Sequence, residues 1–95
     1  MKLFKMRFTP EASRLLAKIH PENKKMVRDS LNRLRENPYT GNQLRGELSG
    51  FRSLKIKRYR VVYSIDEDEN FIDILYVGHR REIYEQFRLL VTKLQ

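Results

Sequence analysis

The chain lacks cysteine, and it has no apolar run that approaches the length of a membrane-spanning helix. Without cysteine, a disulfide framework and a thiolate metal site are both excluded. Because a membrane-spanning helix needs roughly 18 or more consecutive apolar residues, we expect no insertion into a membrane. Apolar and basic residues alternate at the N-terminus, which is typical of a strand and not of a signal peptide. We therefore expect a cytoplasmic protein.

Residues that form common catalytic and cofactor sites are also scarce. The only histidines, His20 and His79, are far apart in sequence, and no glycine-rich phosphate-binding loop is present. None of the serines has the context of a nucleophile elbow. We therefore expect no metal and no cofactor, so any chemistry has to come from other side chains.

Positive charge is what the chain has in excess. It contains 20 Lys and Arg against 12 Asp and Glu, which gives a formal net charge of +8. Such a field attracts polyanions, so a nucleic acid or a strongly acidic protein is the expected partner. The length of 95 residues suits one domain with a small core, and we expect residues 1–95 to form a single domain.

Hydrophobic periodicity predicts an α+β fold. A strand over 2–9 is followed by two amphipathic helices, which we expect to form a hairpin against one face of a sheet. Thr9 and Pro10 suit the cap and the first position of the first helix, and Pro21 should end it. The second helix is expected over 22–36.

A three-strand meander is expected next, and it completes a four-stranded sheet with the N-terminal strand. Its first two strands lie in Gly50–Tyr63 and are joined by a tight basic turn. Its third strand is expected over 71–77, and Gly78 should end that strand. A last amphipathic helix is expected over 80–94.

Alternation along Gly50–Tyr63 assigns its side chains to two faces of the sheet. Tyr59 and Tyr63 share one face and are expected in the core. Lys55 and Arg60 belong to the other face, where they become neighbours if the register of the hairpin brings them together. A rigid sheet face that carries fixed cations is suited to binding a phosphate backbone.

RNA offers a reaction that such a surface can catalyse. The 2′-hydroxyl attacks the adjacent phosphate once a base removes its proton, the negative phosphorane is stabilised, and the leaving 5′ oxygen is protonated. Fixed cations can supply the stabilisation, and nearby like charges favour the neutral form of a lysine, which can act as the base. The cations and the phenol available for this chemistry are Lys55, Arg60, Arg80 and Tyr84, with Arg52, Lys57, His79 and Arg81 around them.

Two segments of the chain, LRGELSGFRSLKIKRYRVVYSID and ILYVGHRREIYE, resemble the RelE/ParE superfamily of bacterial and archaeal toxins. The whole chain is similar to that superfamily in its order of strand, helix hairpin, meander and terminal helix. The resemblance implies a RelE-like fold and a ribosome-dependent mRNA endonuclease that works in the A site without a cofactor. It also implies a cognate antitoxin from an adjacent gene, with which the toxin forms a hetero-oligomer.

The same resemblance implies roles for individual residues. Lys55 corresponds to a strand residue proposed as general base, and Arg60 to the arginine that stabilises the transition state. Arg80 corresponds to the proposed general acid, and Tyr84 to a tyrosine that contacts the mRNA. His79 lies at a variable position and is an alternative acid or base. The residues expected to bind substrate are Arg52, Lys57, Arg58, His79 and Arg81.

Departures from the family pattern leave the identity of the base open. The family often alternates two basic residues where this chain has Ser53 and Lys55, and Arg52 should point to the other face. The usual turn residues are replaced by Lys57 and Arg58. Two other functions stay open: a ParE-like protein that inhibits DNA gyrase, and an inert member that only binds an antitoxin or a nucleic acid.

Overall fold

The computed structural model of the chain describes residues 3–79 and 88–89. Within them the chain forms two helices, five strands and two short 3₁₀ turns. The elements are β1 (Lys5–Phe8), α1 (Pro10–Ala17), α2 (Pro21–Leu34), a 3₁₀ turn (Pro38–Thr40), β2 (Asn42–Gln43), a second 3₁₀ turn (Gly46–Leu48), β3 (Arg52–Ile56), β4 (Tyr59–Asp66) and β5 (Phe71–His79). Of the predicted terminal helix, the described residues include only Arg88 and Leu89, and both are helical.

The five strands form one sheet in the order β1-β5-β4-β3-β2. β1 runs parallel to β5, and the other neighbouring pairs are antiparallel. The predicted α+β fold is confirmed, and β3, β4 and β5 form the predicted meander. The sheet has five strands instead of four because Asn42 and Gln43 pair with Ser53 and Arg52 at one edge. A strand of two polar residues is too short for its period to show in the sequence.

Both helices begin where the sequence offers capping residues. Thr9 caps α1, because its Oγ1 accepts a hydrogen bond from the backbone N–H of Ala12 at 3.1 Å. His20 caps α2, because its Nδ1 accepts from the backbone N–H of Glu22 at 3.4 Å. A proline follows each cap and takes the first helical position. The two helices are therefore joined by a connection of only residues 18–20.

The main core lies where the two helices pack on one face of the sheet. Each apolar side chain that is fully buried there contributes roughly 1.5–3 kcal/mol. Tyr59 and Tyr63 are 8% and 0% exposed, which confirms their predicted place in this core. A smaller cluster of Leu48, Val62 and Tyr76 is separate from the main core. The main buried set is Ala12, Leu16, Val27, Leu31, Leu34, Ile56, Tyr59, Val61, Tyr63, Ile72, Ile74 and Val77.

The hydroxyl of Tyr63 anchors the loop before β2 to the centre of the sheet. It donates a hydrogen bond to the carbonyl of Pro38 at 2.6 Å and accepts one from the N–H of Gly41 at 3.0 Å. The approach requires glycine, because a Cβ at position 41 would lie 2.5 Å from this hydroxyl and 2.8 Å from the carbonyl oxygen of Ser53. Burial raises the pKa of Tyr63.

An ionic cluster at the other end of β4 ties β1 to β5. Arg7 Nε lies 2.7 Å from Asp73 Oδ1, and Arg7 Nη2 lies 3.4 Å from Asp66 Oδ2. The guanidinium also stacks 3.9 Å from the centroid of the Phe71 ring. The hydrogen bond with Asp73 is the largest cause that raises the pKa of Arg7. Two of the acids that cluster in the sequence around this hairpin are therefore paired.

Replacement of Tyr63 by Phe tests the anchored loop. The ring stays in the core, but two buried backbone groups lose their hydroxyl partner, so we expect a loss of about 1–3 kcal/mol in the free energy of unfolding at pH 7. Urea denaturation measures it. Tyr39→Phe is the control, because Tyr39 is exposed and should tolerate the change far better.

The pH dependence of the same variant provides a second check. Because the folded-state pKa of Tyr63 is raised above 10.0, the stability that its neutral form contributes is complete below pH 10 and is lost as the pH rises further. Tyr63→Phe lacks this titration. The gap in unfolding free energy between wild type and variant should therefore narrow above pH 10, and a constant gap would contradict the buried neutral phenol.

Candidate nucleic-acid interface

Lys55 and Arg60 are direct partners across the β3–β4 hairpin. The hairpin closes with the two residues Lys57 and Arg58, because Ile56 already pairs with Tyr59. Side chains that oppose each other in this way have Cβ atoms about 4.5–5.5 Å apart. The Lys55 side chain is exposed and the Arg60 side chain is half-buried. The register therefore brings together the two cations that the sequence predicted to be neighbours.

Both cations lie on the face of the sheet that the two helices do not cover. Their neighbours along the strands, Ile56 and Tyr59, belong to the helix-packed core. Because successive side chains alternate between faces, Lys55 and Arg60 must point the opposite way. The two strands of the hairpin therefore place their core side chains on one face of the sheet and their basic side chains on the other.

The pairing of Lys55 with Arg60 places two like charges opposite each other, which is unfavourable for the stability of the fold. Among the described residues, neither Lys55 nor Arg60 forms an ion pair with a carboxylate. Arg60 Nη1 donates a hydrogen bond to the carbonyl of Tyr59 at 3.5 Å, a distance at which such a bond is weak. Like charges directly opposite each other destabilise a sheet. Local rules of folding are broken in this way mainly at functional sites, and an anion would relieve the repulsion.

Gly78 leaves space beside Arg60 on the third strand of the meander. The sequence predicted that Gly78 would end this strand, but β5 continues to His79 because Gly78 pairs with Arg60. Without a side chain at position 78, no side-chain atom of this residue lies beside the guanidinium of Arg60. His79 pairs with Tyr59 and so belongs to the helix-covered side, with the two ring centroids 5.2 Å apart.

Arg52 is not brought together with Lys55 and Arg60. It pairs with Tyr63, on the helix-covered side of β3. Its Nη1 donates to the carbonyl of Gly41 at 2.8 Å and to that of Tyr39 at 3.3 Å. This position was expected from its parity in the strand. The role that the structure supports for Arg52 is to hold the anchored loop, next to the hydroxyl of Tyr63.

Ser53 takes the position on β3 where a second cation would stand beside Lys55. It is 5% exposed and pairs with Val62. A charge at this depth would need a partner to offset its desolvation. The site therefore has a single lysine on this strand.

The basic turn carries two further predicted binding residues, Lys57 and Arg58, and both are exposed at the tip of the hairpin. Lys57 has a φ of +54°, in the left-handed region. A residue with a side chain pays roughly 1–2 kcal/mol for that conformation. A lysine at a position that suits glycine is consistent with selection for its charge. Arg80, Arg81 and Tyr84, the remaining predicted site residues, lie outside the described residues.

Two contacts near the interface were not foreseen from the sequence. Asn23 Nδ2 donates to the hydroxyl of Tyr59 at 3.1 Å, which ties the start of α2 to the first residue of β4. Arg88 Nε lies 3.3 Å from Glu47 Oε2, which joins Arg88 to the second 3₁₀ turn. Each contact links residues more than 35 positions apart, and no local period signals such a pair.

Comparison with known proteins shows the family. The family model described as "ParE toxin of type II toxin-antitoxin system, parDE" matches residues 6–84. The chain belongs to this family, within the RelE/ParE superfamily. It is therefore a toxin of a type II toxin–antitoxin system.

Three relatives illustrate how close this ParE-family toxin is to proteins named RelE and RelG. Toxin RelG of Mycobacterium tuberculosis is 35% identical over 85 residues, which are 87% of this chain and 98% of the relative. The RelBE2 toxin–antitoxin complex of M. tuberculosis matches with a TM-score of 0.77 at 35% identity, over 82% of this chain and 99% of that chain. A mutant of E. coli toxin RelE in the free state matches with a TM-score of 0.79, over 98% of this chain and 99% of that one. Its identity of 20% shows the fold alone.

Neither a metal site nor a membrane helix is visible in the described part of this toxin. Residues 3–79 and 88–89 contain no group of three or more His, Cys, Asp or Glu side chains arranged to hold a metal ion. No helix among the same residues is long and apolar enough to cross a membrane.

A pair of alanine variants separates the structural arginine from the exposed lysine. Arg52→Ala removes hydrogen bonds to two loop carbonyls and should lower the free energy of unfolding by about 1–2 kcal/mol. Lys55→Ala removes a like charge opposite Arg60 and should change stability by a few tenths of a kcal/mol at most, toward greater stability. Urea denaturation of both variants at the same pH provides the measurement. Equal destabilisation by the two changes would contradict this division of roles.

Proposed function

We propose that this toxin cleaves messenger RNA on the ribosome, in the A site, and that Lys55 and Arg60 form the centre of its active site. The observation that carries the proposal is the cross-strand pair of these two cations on the face of the sheet that α1 and α2 do not cover. The pair is fixed by the register of a short hairpin and is not neutralised by a described carboxylate. A fixed pair of cations suits a phosphate that gains negative charge during a reaction.

The proposed reaction uses the RNA's own nucleophile. The 2′-oxygen forms a bond to the adjacent phosphorus, the bond from phosphorus to the 5′ oxygen breaks, and the proton lost from the 2′-hydroxyl is matched by one gained at the leaving oxygen. The products are a 2′,3′-cyclic phosphate and a 5′-hydroxyl. No metal ion or cofactor is needed to balance this step.

Each proposed role follows from position on the sheet and from the family resemblance. Arg60 stabilises the phosphorane, since its guanidinium offers several donors in a fixed plane and cannot lose its charge. Lys55 acts as the base from the opposite strand. Arg80 and Tyr84, assigned from the resemblance alone, supply the acid and the contact with mRNA. The side chains proposed to bind the substrate backbone around them are Lys57, Arg58 and Arg81, while His79 is proposed to contact the substrate from the other face of the sheet.

We further propose that a cognate antitoxin covers the basic face and forms a hetero-oligomer with the toxin. The RelBE2 complex of M. tuberculosis and the RelBE complex of E. coli are both toxin–antitoxin complexes, and the first is 35% identical to this chain. The net charge of +8 favours an acidic partner. An acidic antitoxin that covers Lys55 and Arg60 would block the access of RNA to them and would also relieve their mutual repulsion.

A ParE-like inhibitor of DNA gyrase is the second candidate function, because the matching family model is described as a ParE toxin. Controlled expression in bacteria separates the two functions. Cuts inside translated codons within minutes of induction support the endonuclease. Arrest of DNA replication with intact mRNA supports the gyrase inhibitor, and normal growth supports an inert member that only binds its partners.

Replacement of Arg60 by Ala is the decisive variant for the endonuclease. Loss of one group that stabilises developing negative charge should lower the rate of mRNA cleavage about 10²–10³-fold. Stability should change by less than roughly 0.5 kcal/mol, because the side chain makes no ion pair with a described residue. Mapping of mRNA 5′ ends on programmed ribosomes measures the rate, and urea denaturation measures the fold.

The matched control is Lys25→Ala, which removes one exposed positive charge on α2, and this helix packs on the face of the sheet opposite to Lys55 and Arg60. It tests whether any loss of net charge weakens cleavage through weaker attraction to the ribosome. We expect the control to retain the rate within about threefold at physiological salt. Full cleavage by a folded Arg60→Ala variant would exclude Arg60 from the reaction.

A further inference from the structure

His20 and His79, the two histidines of the chain, are far apart in sequence but line one cavity. The cavity has a volume of about 220 Å³ and lies between the end of α1 and the ends of β4 and β5. Drug-sized ligands occupy pockets of roughly 300–1,000 Å³. A single water molecule takes roughly 30 Å³. The size suits one planar ring system.

The walls of this histidine cavity combine apolar and aromatic surfaces. Leu15, Ile19 and Val77 form its apolar part. The ring of Tyr59 is 8% exposed, and its hydroxyl is held by the side chain of Asn23 at 3.1 Å. A polar anchor of this kind fixes the ring in place. The cavity therefore has a rigid wall before any ligand enters.

The rim of the cavity carries the polar and charged groups. His79 is exposed, and its ring centroid lies 5.2 Å from that of Tyr59 at an interplanar angle of 40°. His20 is also exposed, and its Nδ1 already accepts the hydrogen bond that caps α2. Lys18 adds a positive charge. Rings and a cation at the mouth of an apolar pocket suit a ligand that joins a planar base to a phosphate.

The cavity lies at the same corner of the sheet as the cation pair, but on the other face. Tyr59 in its wall is the residue before Arg60, and Gly78 in its wall is the register partner of Arg60. Adjacent residues of a strand have Cα atoms about 3.8 Å apart, and paired strands are about 4.7–4.9 Å apart. With no side chain at Gly78, nothing from that residue separates the two sites at the end of the sheet.

We propose that the histidine cavity is a nucleobase pocket, which takes one base next to the cleaved phosphate and stacks it against His79. This proposal rests on the proposed endonuclease activity and adds a substrate subsite to it. The phosphate backbone contacts Lys55 and Arg60, while a neighbouring unstacked base turns around the corner of the sheet into the cavity. Single-stranded RNA is commonly held by such stacking on aromatic and histidine rings.

The test uses the full-length toxin and ribosomes programmed with short mRNAs. Each mRNA carries one abasic nucleotide at a different position around the cleavage point, and single-turnover cleavage gives a rate and a half-saturating toxin concentration. For the wild type, we expect one position at which loss of the base raises that concentration roughly tenfold. In His79→Ala the same abasic mRNA should cause no further rise, because the pocket no longer holds the base.

Two variants distinguish a pocket from other roles of the histidines. His79→Phe keeps a ring for stacking and should restore the half-saturating concentration to within about twofold of wild type. A proton-transfer role for His79 would instead lower the maximal rate, with no rescue by Phe, and would overturn the proposal. His20→Asn keeps a good helix cap while it removes the ring. It should raise the half-saturating concentration for the intact mRNA more than for the abasic mRNA.

The outcomes separate this proposal from the proposed function. Suppose that the wild type cleaves mRNA, but that the effect of His79→Ala and the effect of the abasic nucleotide are fully additive at every position. That result would overturn the nucleobase pocket alone. Absence of cleavage by the wild type would overturn both. If His79→Ala weakened antitoxin binding and left mRNA use unchanged, the occupant would be a side chain of the antitoxin, and the nucleobase pocket would be excluded.

Discussion

The register of the β3–β4 hairpin is the constraint on which the rest of this toxin depends. Because Ile56 pairs with Tyr59, only two residues remain for the turn, and the alternation of every side chain along both strands is set. A slip of one residue would move the tyrosines of β4 to the open face and Arg60 into the core. The buried tyrosines therefore secure the register, and the register in turn secures the pairing of Lys55 with Arg60.

A set of polar contacts fixes the end of this hairpin that lies away from its turn. Tyr63 holds the loop before β2 through the carbonyl of Pro38, and Arg52 holds the same loop through the carbonyl of Gly41. No buried side-chain nitrogen or oxygen in the described residues lacks a hydrogen-bond partner. A satisfied network of this kind is rigid, and rigidity matters for catalysis by cations. In the proposed reaction, charges that are already in place need no reorganisation when the phosphorane forms.

Much of this arrangement could be predicted from local patterns. The alternation of Tyr59 and Tyr63 with Arg60 identified both faces of β4, and Thr9 marked the start of α1. The patterns could not reveal contacts that depend on tertiary packing. Parity showed that Arg52 would turn away from Lys55, but not that it would hold two loop carbonyls. Likewise, no sequence pattern links His20 with His79, because only the packing of α1 against β5 places them around one cavity.

The corner formed by Tyr59 and Arg60 is what would let so small a domain engage two parts of a nucleotide in the proposed complex with RNA. In a strand, consecutive side chains leave on opposite faces, so one residue contributes a ring to the histidine cavity and the next contributes a charge to the open face. Gly78 on β5 keeps the corner free of a side chain beside Arg60. A phosphate and a neighbouring base can therefore be held on either side of one strand end. This geometry favours a flexible single strand over a duplex, because only an unstacked base can turn through such an angle.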